Sequence, residues 1–291
     1  MAKPDLQNTS VHDIERTLAR LRDEESEADH APTLRTSVLT HMAWVPKRWA
    51  KQAAKTLDGL AEGHPSRTIL LHPDPDDPRD ALDADVDLRC FATGGRAVCF
   101  EVIELTLCGP RAHAPASVVM PLLVSDLPAF LRWRGDLPFG APELEQLVGV
   151  ADRLIVDASE WDEPEPGLER LPELFDRIVV SDIAWGRLDP WRRALAGLWP
   201  GIADLETLRV EGPRAEALLL SGWLAGRLGR DLTLEHEPAD ETTAVAVDGN
   251  EIAPDHPELE SPSDLLSEQL EIYNRDRIYE EAARSFSRVA I

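Results

Sequence analysis

The sequence predicts a mixed α/β fold: two α/β domains with mixed sheets, plus C-terminal helices. Three observations carry that expectation. Apolar runs too short for helices, at 68–71 and 152–157, are bounded by proline, aspartate and glycine clusters, as buried strands are. Stretches with apolar residues at helical spacing alternate with them. The length, 291 residues, suits two domains on a soft prior of ~150 residues each. The expected division is an N-terminal helix and linker over 1–32, an N-terminal α/β domain over 33–160, and a C-terminal α/β domain with a helical tail over 167–291.

In chain order, Val11, Ile14, Leu18 and Leu21 predict an amphipathic helix, followed by an acidic linker at 23–29 and Pro32. Pro46 marks a helix start, with Trp49, Ala53 and Leu57 on one face as far as Gly63. The strand at 68–71 is stopped by the proline- and aspartate-rich stretch 72–78. A hairpin follows, 86–91 and 97–107, about Thr93-Gly94-Gly95-Arg96, whose central glycines suit a two-residue primed turn. That turn sets Thr93 opposite Arg96. Counting back puts Cys90 opposite Cys99 in a non-hydrogen-bonded pair, where side chains approach most closely. The two cysteines read either as small buried apolar residues or as a candidate redox pair.

The stretch 117–139 is the centre of the chain. Its apolar run ends in a turn at Ser125-Asp126, and a buried strand then presents Trp133, Arg134 and Asp136 at its end. Pro121, Pro128 and Pro138 exclude one long helix here. Strand ends in open α/β sheets are where ligands and partners usually meet a protein. Beyond it, 142–148 is a short helix, 152–157 a buried strand, and 161–167 a surface loop that serves as the domain boundary.

A helix is expected over 168–180. Asp189 and Pro190 read as the N-cap and first residue of a helix carrying Trp191, Leu195 and Leu198. A strand over 205–210, a helix over 213–228 ended by Gly229, and strands over 231–235 and 243–247 follow. The acidic stretch 251–262 is a loop, and 263–286 a helical tail. A faint echo between Ala43-Trp44…Trp49 and Ala184-Trp185…Trp191 raises a duplicated architecture.

Composition narrows the function. The chain has 54 acidic against 30 basic residues, a formal net charge of −24. Such a surface repels phosphate backbones and anionic lipids, so nucleic acid and membrane are excluded as partners. No apolar run approaches the ~20 residues a bilayer span needs. Asp13, Glu15, Asp23, Glu24, Glu25 and Glu27 argue against a signal peptide, so the chain is read as cytoplasmic. Cys90, Cys99 and Cys108 form no C-x-x-C pair, and the eight histidines fall at no metal-ligand spacing. G-x-G-x-x-G, Walker A, G-x-S-x-G and H-E-x-x-H are all missing from the sequence. No catalytic, cofactor-binding or metal-ligating residue is therefore assigned, no cofactor is expected, and the chain is read as a non-enzyme.

Tryptophan is over-supplied, eight against two tyrosines. Trp133, Trp185 and Trp191 stand beside arginines in loops or at element ends, and Trp with Arg is the pairing most enriched at interface hot spots. Asp126, Trp133, Arg134, Asp136, Trp185, Arg187, Trp191 and Arg192 are accordingly the candidate partner interface, or the framework under one.

Several long segments carry a family resemblance: HPSRTILLHPDP at 64–75, SVVMPLLVSDLPAFLRWRGDLP at 117–138, DRLIVDAS at 152–159, DIAWGRLDPWRRAL at 182–195 and LLSEQLEIYNRDRIYEEA at 265–282. In these the chain resembles the glucose-6-phosphate dehydrogenase assembly protein (OpcA) family, from about residue 60 to the C terminus. The resemblance implies a non-enzymatic assembly factor and allosteric activator. It would bind glucose-6-phosphate dehydrogenase and promote its active oligomer in the oxidative pentose phosphate pathway. In photosynthetic members thiol redox state modulates this. The alternative is a sugar-phosphate-binding sensor or enzyme that uses Arg134, Arg187 and Arg192 as an anion clamp. A structural subunit of some other complex is the third reading.

Overall fold

The computed structural model describes residues 5–29, 34–35, 37–60, 66–93, 96–254 and 261–290. Gly63, the Gly94-Gly95 turn and the middle of the acidic stretch at 255–260 lie outside them. The fold is mixed α/β, as expected, and the chain divides into two units. The first holds Met1–Arg134, Pro138–Leu154 and Pro262–Leu270; the second holds Gly135–Leu137, Ile155–Ser261 and Glu271–Ile291.

The first unit opens with a two-residue strand β1 (Asp5–Leu6) and helix α1 (Val11–Asp29). Ser10 starts the helix: its Oγ accepts from Asp13 N–H at 3.2 Å and donates to the Asp13 carboxylate at 2.7 Å. Ile14, Leu18 and Leu21 are the buried stripe. The acidic stretch 23–29, expected as linker, continues the helix. Four of its seven residues, three glutamates and an alanine, are good helix formers, and nothing in it breaks a helix.

Next come β2 (Leu34–Arg35), β3 (Thr40–Trp44), α2 (Ala50–Leu60), β4 (Arg67–Asp74), β5 (Leu82–Thr93) and β6 (Arg96–Cys108). They are followed by α3 (Ala116–Val119), β7 (Ala129–Trp133) and α4 (Pro142–Val148). The strands run in the order β1-β5-β6-β4-β3-β7, with β2 also on β6. β6, β4, β3 and β7 are mutually parallel, and β5 pairs with β6 antiparallel. Strand β3 carries no strand signal in the sequence, although all five of its residues are buried. A strand covered on both faces loses the alternation that marks a half-exposed one. Ala43, Val45, Leu70, Phe100 and Val102 pack with Ala53 and Leu57 of α2. Ion pairs fasten α1 to the sheet: the buried Arg67 guanidinium meets Glu15 of α1 and Glu101 of β6, each at 2.6 Å. Arg22 of α1 reaches Glu101 at 2.8 Å.

The chain leaves this unit along β8 (Arg153–Val156). The second unit contains α5 (Pro164–Arg170), β9 (Val179–Asp182), α6 (Ile183–Arg187), α7 (Asp189–Gly197), β10 (Thr207–Gly212) and α8 (Arg214–Leu228). β11 (Leu232–Pro238), β12 (Ala244–Val247) and β13 (Asn250–Ile252) complete its central stretch. After α9 (Pro262–Glu271), whose first part belongs to the first unit, come α10 (Arg277–Ser285) and β14 (Val289–Ala290). The second sheet runs β13-β12-β10-β11-β14.

The structure departs from the sequence-based expectation at four places. The proposed surface loop at 161–167 is half helix, since α5 begins at Pro164, and Trp161 is buried. Its ring occupies the space beside Gly167, where a Cβ would come within 2.5 Å of it. The helix expected over 168–180 is interrupted at Pro172, and its last residues form β9. A proline inside a helix removes a donor and clashes with the preceding turn. Helix α7 begins at Asp189 itself, so Asp189 is not the cap, and its carboxylate pairs instead with Arg192 at 3.1 Å. The helical tail is two helices, because Asp276 caps α10 by accepting from Ile278 N–H and Tyr279 N–H.

The apparent echo of Trp44 in Trp185 is one of sequence alone, since Trp44 ends a strand and Trp185 lies in a helix. The hairpin register matches expectation, with Thr93 opposite Arg96 and Cys90 opposite Cys99.

Candidate functional site

The Trp/Arg residues form two separate clusters, one built within each unit. In the first, Trp44 and Trp133 are register partners on the parallel strands β3 and β7. Partners in register point to the same face, so the indoles stack, with centroids 4.9 Å apart and planes inclined by 15°. Arg134 follows directly. Its N–H donates to the Trp44 carbonyl at 3.1 Å, and its guanidinium lies 4.8 Å from the centre of the Trp49 ring. Arg48 approaches the same ring at 5.5 Å. Trp133 is only 2% exposed and Arg134 is buried as well. Arg132 donates to the Trp133 carbonyl. Asp126 stands apart on an exposed turn, in left-handed conformation at φ 66°, with Leu127 N–H closing on the Val124 carbonyl at 3.3 Å.

The second cluster is ionic and aromatic together. Arg187, at the end of α6, places its two Nη atoms on the Asp157 carboxylate at 3.0 and 2.7 Å and its Nε on Glu216 at 2.6 Å. Burial alone would lower its pKa. The Asp157 and Glu216 carboxylates outweigh that and raise it. Glu216 also accepts from Ser159 Oγ at 3.3 Å and Thr242 Oγ1 at 2.6 Å. Asp182, at the end of β9, accepts from Ala158 N–H, Ala184 N–H and the Tyr279 hydroxyl at 3.1, 2.9 and 3.1 Å. Burial first, and the neighbouring Asp157 second, push its pKa up to about 6.

Arg192 of α7 stacks on the Trp185 indole, 3.8 Å from its centre. Trp185 Nε1–H donates to Asp276 at 2.9 Å, and its ring tilts against Tyr279 at 5.9 Å. Trp191 is buried on α7. Asp136, although three residues beyond Trp133, belongs to the second unit, where its carboxylate accepts from Asp162 N–H at 2.9 Å.

Of the eight candidates, Trp133, Arg134, Trp185 and Trp191 are buried, Arg187 and Arg192 are part-buried, and Asp126 and Asp136 are exposed. The sequence reading missed Trp44, Trp49, Asp157, Asp182, Glu216, Asp276 and Tyr279. A faint signal existed for two of these: Asp157 directly follows the buried strand β8, and Asp182 is the last residue of β9. Among 54 acidic residues that signal carries little weight. The Cys90 and Cys99 sulfurs are joined, with Cα atoms 4.1 Å apart. Cys108 is free and buried.

These arginines are poor anion clamps. Arg187 has its donors directed at two carboxylates, with the Asp182 carboxyl close behind them, so the site's local charge is negative. Arg192 is held by an indole face and Asp189. Among the described residues no group of three or more His, Cys, Asp or Glu is placed to hold a metal ion.

Fold and site together define a two-unit α/β protein whose Trp/Arg clusters tie its own elements together. Two family models match it. One is described as the glucose-6-phosphate dehydrogenase subunit N-terminal domain, over residues 58–173, and the other as its C-terminal domain, over 178–258. A curated relative, "Putative OxPP cycle protein OpcA" of Synechocystis sp., is 26% identical over 184 residues, covering 59% of this chain and 38% of the relative. The chain thus spans well under half the length of that relative. It belongs to the glucose-6-phosphate dehydrogenase assembly (OpcA) family.

Proposed function

We propose that this chain binds glucose-6-phosphate dehydrogenase in the cytoplasm and promotes its active oligomer in the oxidative pentose phosphate pathway, without catalysing a reaction itself. The family match over both units is the observation that carries this reading. The closed Trp/Arg clusters support it as a rigid framework beneath a contact surface. An activator of this kind must bind the active form of the enzyme better than the inactive one, since equal affinity for both shifts nothing.

In this reading the buried members of the clusters hold the surface in shape, and exposed groups make the contacts. Asp126 and Asp136 are exposed, and so are five large apolar side chains of the second unit: Leu198, Trp199, Ile272, Tyr273 and Ile278. Trp199 is the most open of the five, at 65%. Exposed aromatic and aliphatic side chains of this kind act as interface anchors. The Cys90–Cys99 link is where a thiol-dependent response would act.

The cognate dehydrogenase assayed with and without the chain tests the proposal. A rise in activity at limiting glucose 6-phosphate, with co-elution of the two proteins, is expected. Unchanged kinetics and separate elution would overturn it.

A further inference from the structure

Residues 30–57 hold no aspartate or glutamate, in a chain where 54 of 291 residues are acidic. Three of the chain's four lysines fall in that interval, at 47, 51 and 55, with Arg48 among them. Lys47 and Arg48 lie in the single 3₁₀ turn Lys47–Trp49 that opens α2, and Lys51 and Lys55 lie on α2 itself. All four are exposed. The row lies ahead of the residues that the family models match, so the family match does not assign it.

The fold gives no reason for this row. Lys47, Arg48 and Lys51 crowd the N-terminus of α2, where the helix dipole disfavours cations, and no acidic residue stands in its first turn to offset them. Lys51 and Lys55, one turn apart, repel each other. Among the described residues Lys47, Lys51 and Lys55 make no ion pair. Arginines elsewhere in the chain are treated differently: Arg67, Arg79 and Arg187 each meet two carboxylates. The row therefore weakens the helix that carries it and is matched by no described carboxylate.

What the fold does supply is a rigid backing. Ala53 and Leu57 are buried against Ala43, Val45, Leu70, Phe100 and Val102 of the sheet. Thr56 is buried beside them. Trp49 packs on the same core, and the Arg48 and Arg134 guanidinium groups lie 5.5 and 4.8 Å from its ring centre. A helix anchored in this way holds out side chains one turn apart at intervals of about 5–6 Å, which suits carboxylates spaced alike on a second helix. Screening at physiological salt confines such contacts to about 8 Å, so the local positive charge decides them. An extended polyanion would reach past the row into the field of a chain whose net charge is −24, whereas an acidic patch on a protein can be as small as the row itself.

We propose that the exposed face of α2 and its opening turn is a docking surface for an acidic patch of the dehydrogenase, with Lys47, Lys51 and Lys55 each meeting a carboxylate; this rests on the dehydrogenase binding proposed above. Opposite charges across an interface speed encounter and fix orientation more than they add affinity, so the row sets how the two proteins meet.

Carbodiimide coupling of the full chain with the cognate dehydrogenase tests this, because it joins an amine to a carboxylate in direct contact. Cross-links from Lys47, Lys51 and Lys55 to aspartates or glutamates of the dehydrogenase are expected by mass spectrometry. The triple variant Lys47→Glu, Lys51→Glu, Lys55→Glu should weaken capture on the order of 100-fold, chiefly by slowing association, with its urea midpoint unchanged. The triple variant Lys47→Arg, Lys51→Arg, Lys55→Arg keeps the charge and should bind as the unmodified chain does. A complex that forms but is indifferent to the glutamate variant would overturn this surface and leave dehydrogenase binding standing. So would a complex with no cross-link from the row. If the unmodified chain forms no complex, the surface and the dehydrogenase reading fall together.

Discussion

The Tyr279 hydroxyl donates to the Asp182 carboxylate across 3.1 Å, with both residues closed to solvent. This contact ties α10 to the end of β9. Burial, and then the nearby Asp182 carboxylate, raise the tyrosine pKa well above its usual value, so it remains a donor at ordinary pH. Tyr279→Phe should cost about 1–3 kcal/mol at pH 7, the penalty for leaving a buried acceptor unmet. Urea unfolding measures it. The loss should shrink at pH 5, where Asp182 takes up a proton.

Asp182 gives a pH dependence of unusual sign for a carboxyl group. Its folded pKa of about 6 lies above the ordinary carboxylate value, so between the two the folded state holds the proton more tightly than the unfolded chain. Its contribution to stability is therefore fully present below the ordinary value and lost as pH rises through about 6. Comparing the protein with its Asp182→Asn variant isolates that term. From pH 4 to pH 7 the unmodified protein should lose on the order of 2 kcal/mol relative to the variant. Equal slopes for the two proteins would contradict the assignment.

Removing Arg187 leaves Asp157 and Glu216 facing each other without a counter-charge. Arg187→Ala should destabilise by about 3 kcal/mol, the low end for breaking a buried pair, because the guanidinium side chain retains 29% exposure. Arg187→Lys should not restore the loss, since an ammonium cannot span both carboxylates as the planar fork does. Thermal or urea unfolding of the two variants reads both outcomes.

Helix α10 lies against α8 at Gly222, where a Cβ would come to 2.5 Å from the Ala282 carbonyl and 2.9 Å from Phe286 N. Both neighbours are backbone and cannot rotate away. Gly222→Val should therefore cost about 2 kcal/mol or more and loosen α10. Faster amide exchange along 277–285, with α1 unchanged, is the expected signature.

Trp199 and Trp185 separate surface from framework. Trp199→Ala should alter stability by less than about 0.5 kcal/mol while weakening capture of the dehydrogenase. Trp185→Ala should lose about 3 kcal/mol of stability, because it removes a buried ring that Arg192 and Tyr279 pack against. Full capture by the Trp199 variant would place the contact elsewhere.

The cysteines can be counted directly. Burial, followed by Asp77, pushes the Cys108 thiol up to about 11, so it should react slowly in the native protein. Denatured without reductant, the chain should show one thiol, and after reduction three. Three thiols from the start would mean that Cys90 and Cys99 are not joined in the purified protein.

Local chemistry made much of this protein legible from its residues alone. The hairpin register follows from the spacing about Gly94-Gly95, and the ends of α4 and α8 follow from Pro142 and Gly229, because turn and cap geometry depends on a few neighbouring residues. The mixed α/β class and the family segments were legible in the same way. Tertiary structure alone decided the rest. Strand β3 is covered on both faces and shows no alternation, so only its neighbours reveal it. Trp44 meets Trp133, and Tyr279 meets Asp182, across some 90 residues of chain or more, and local pattern does not reach that far. The Trp/Arg clusters read in sequence as a partner interface or the framework under one. Folding turned most of them inward, because a large aromatic ring stacked on a guanidinium gains most where water is excluded.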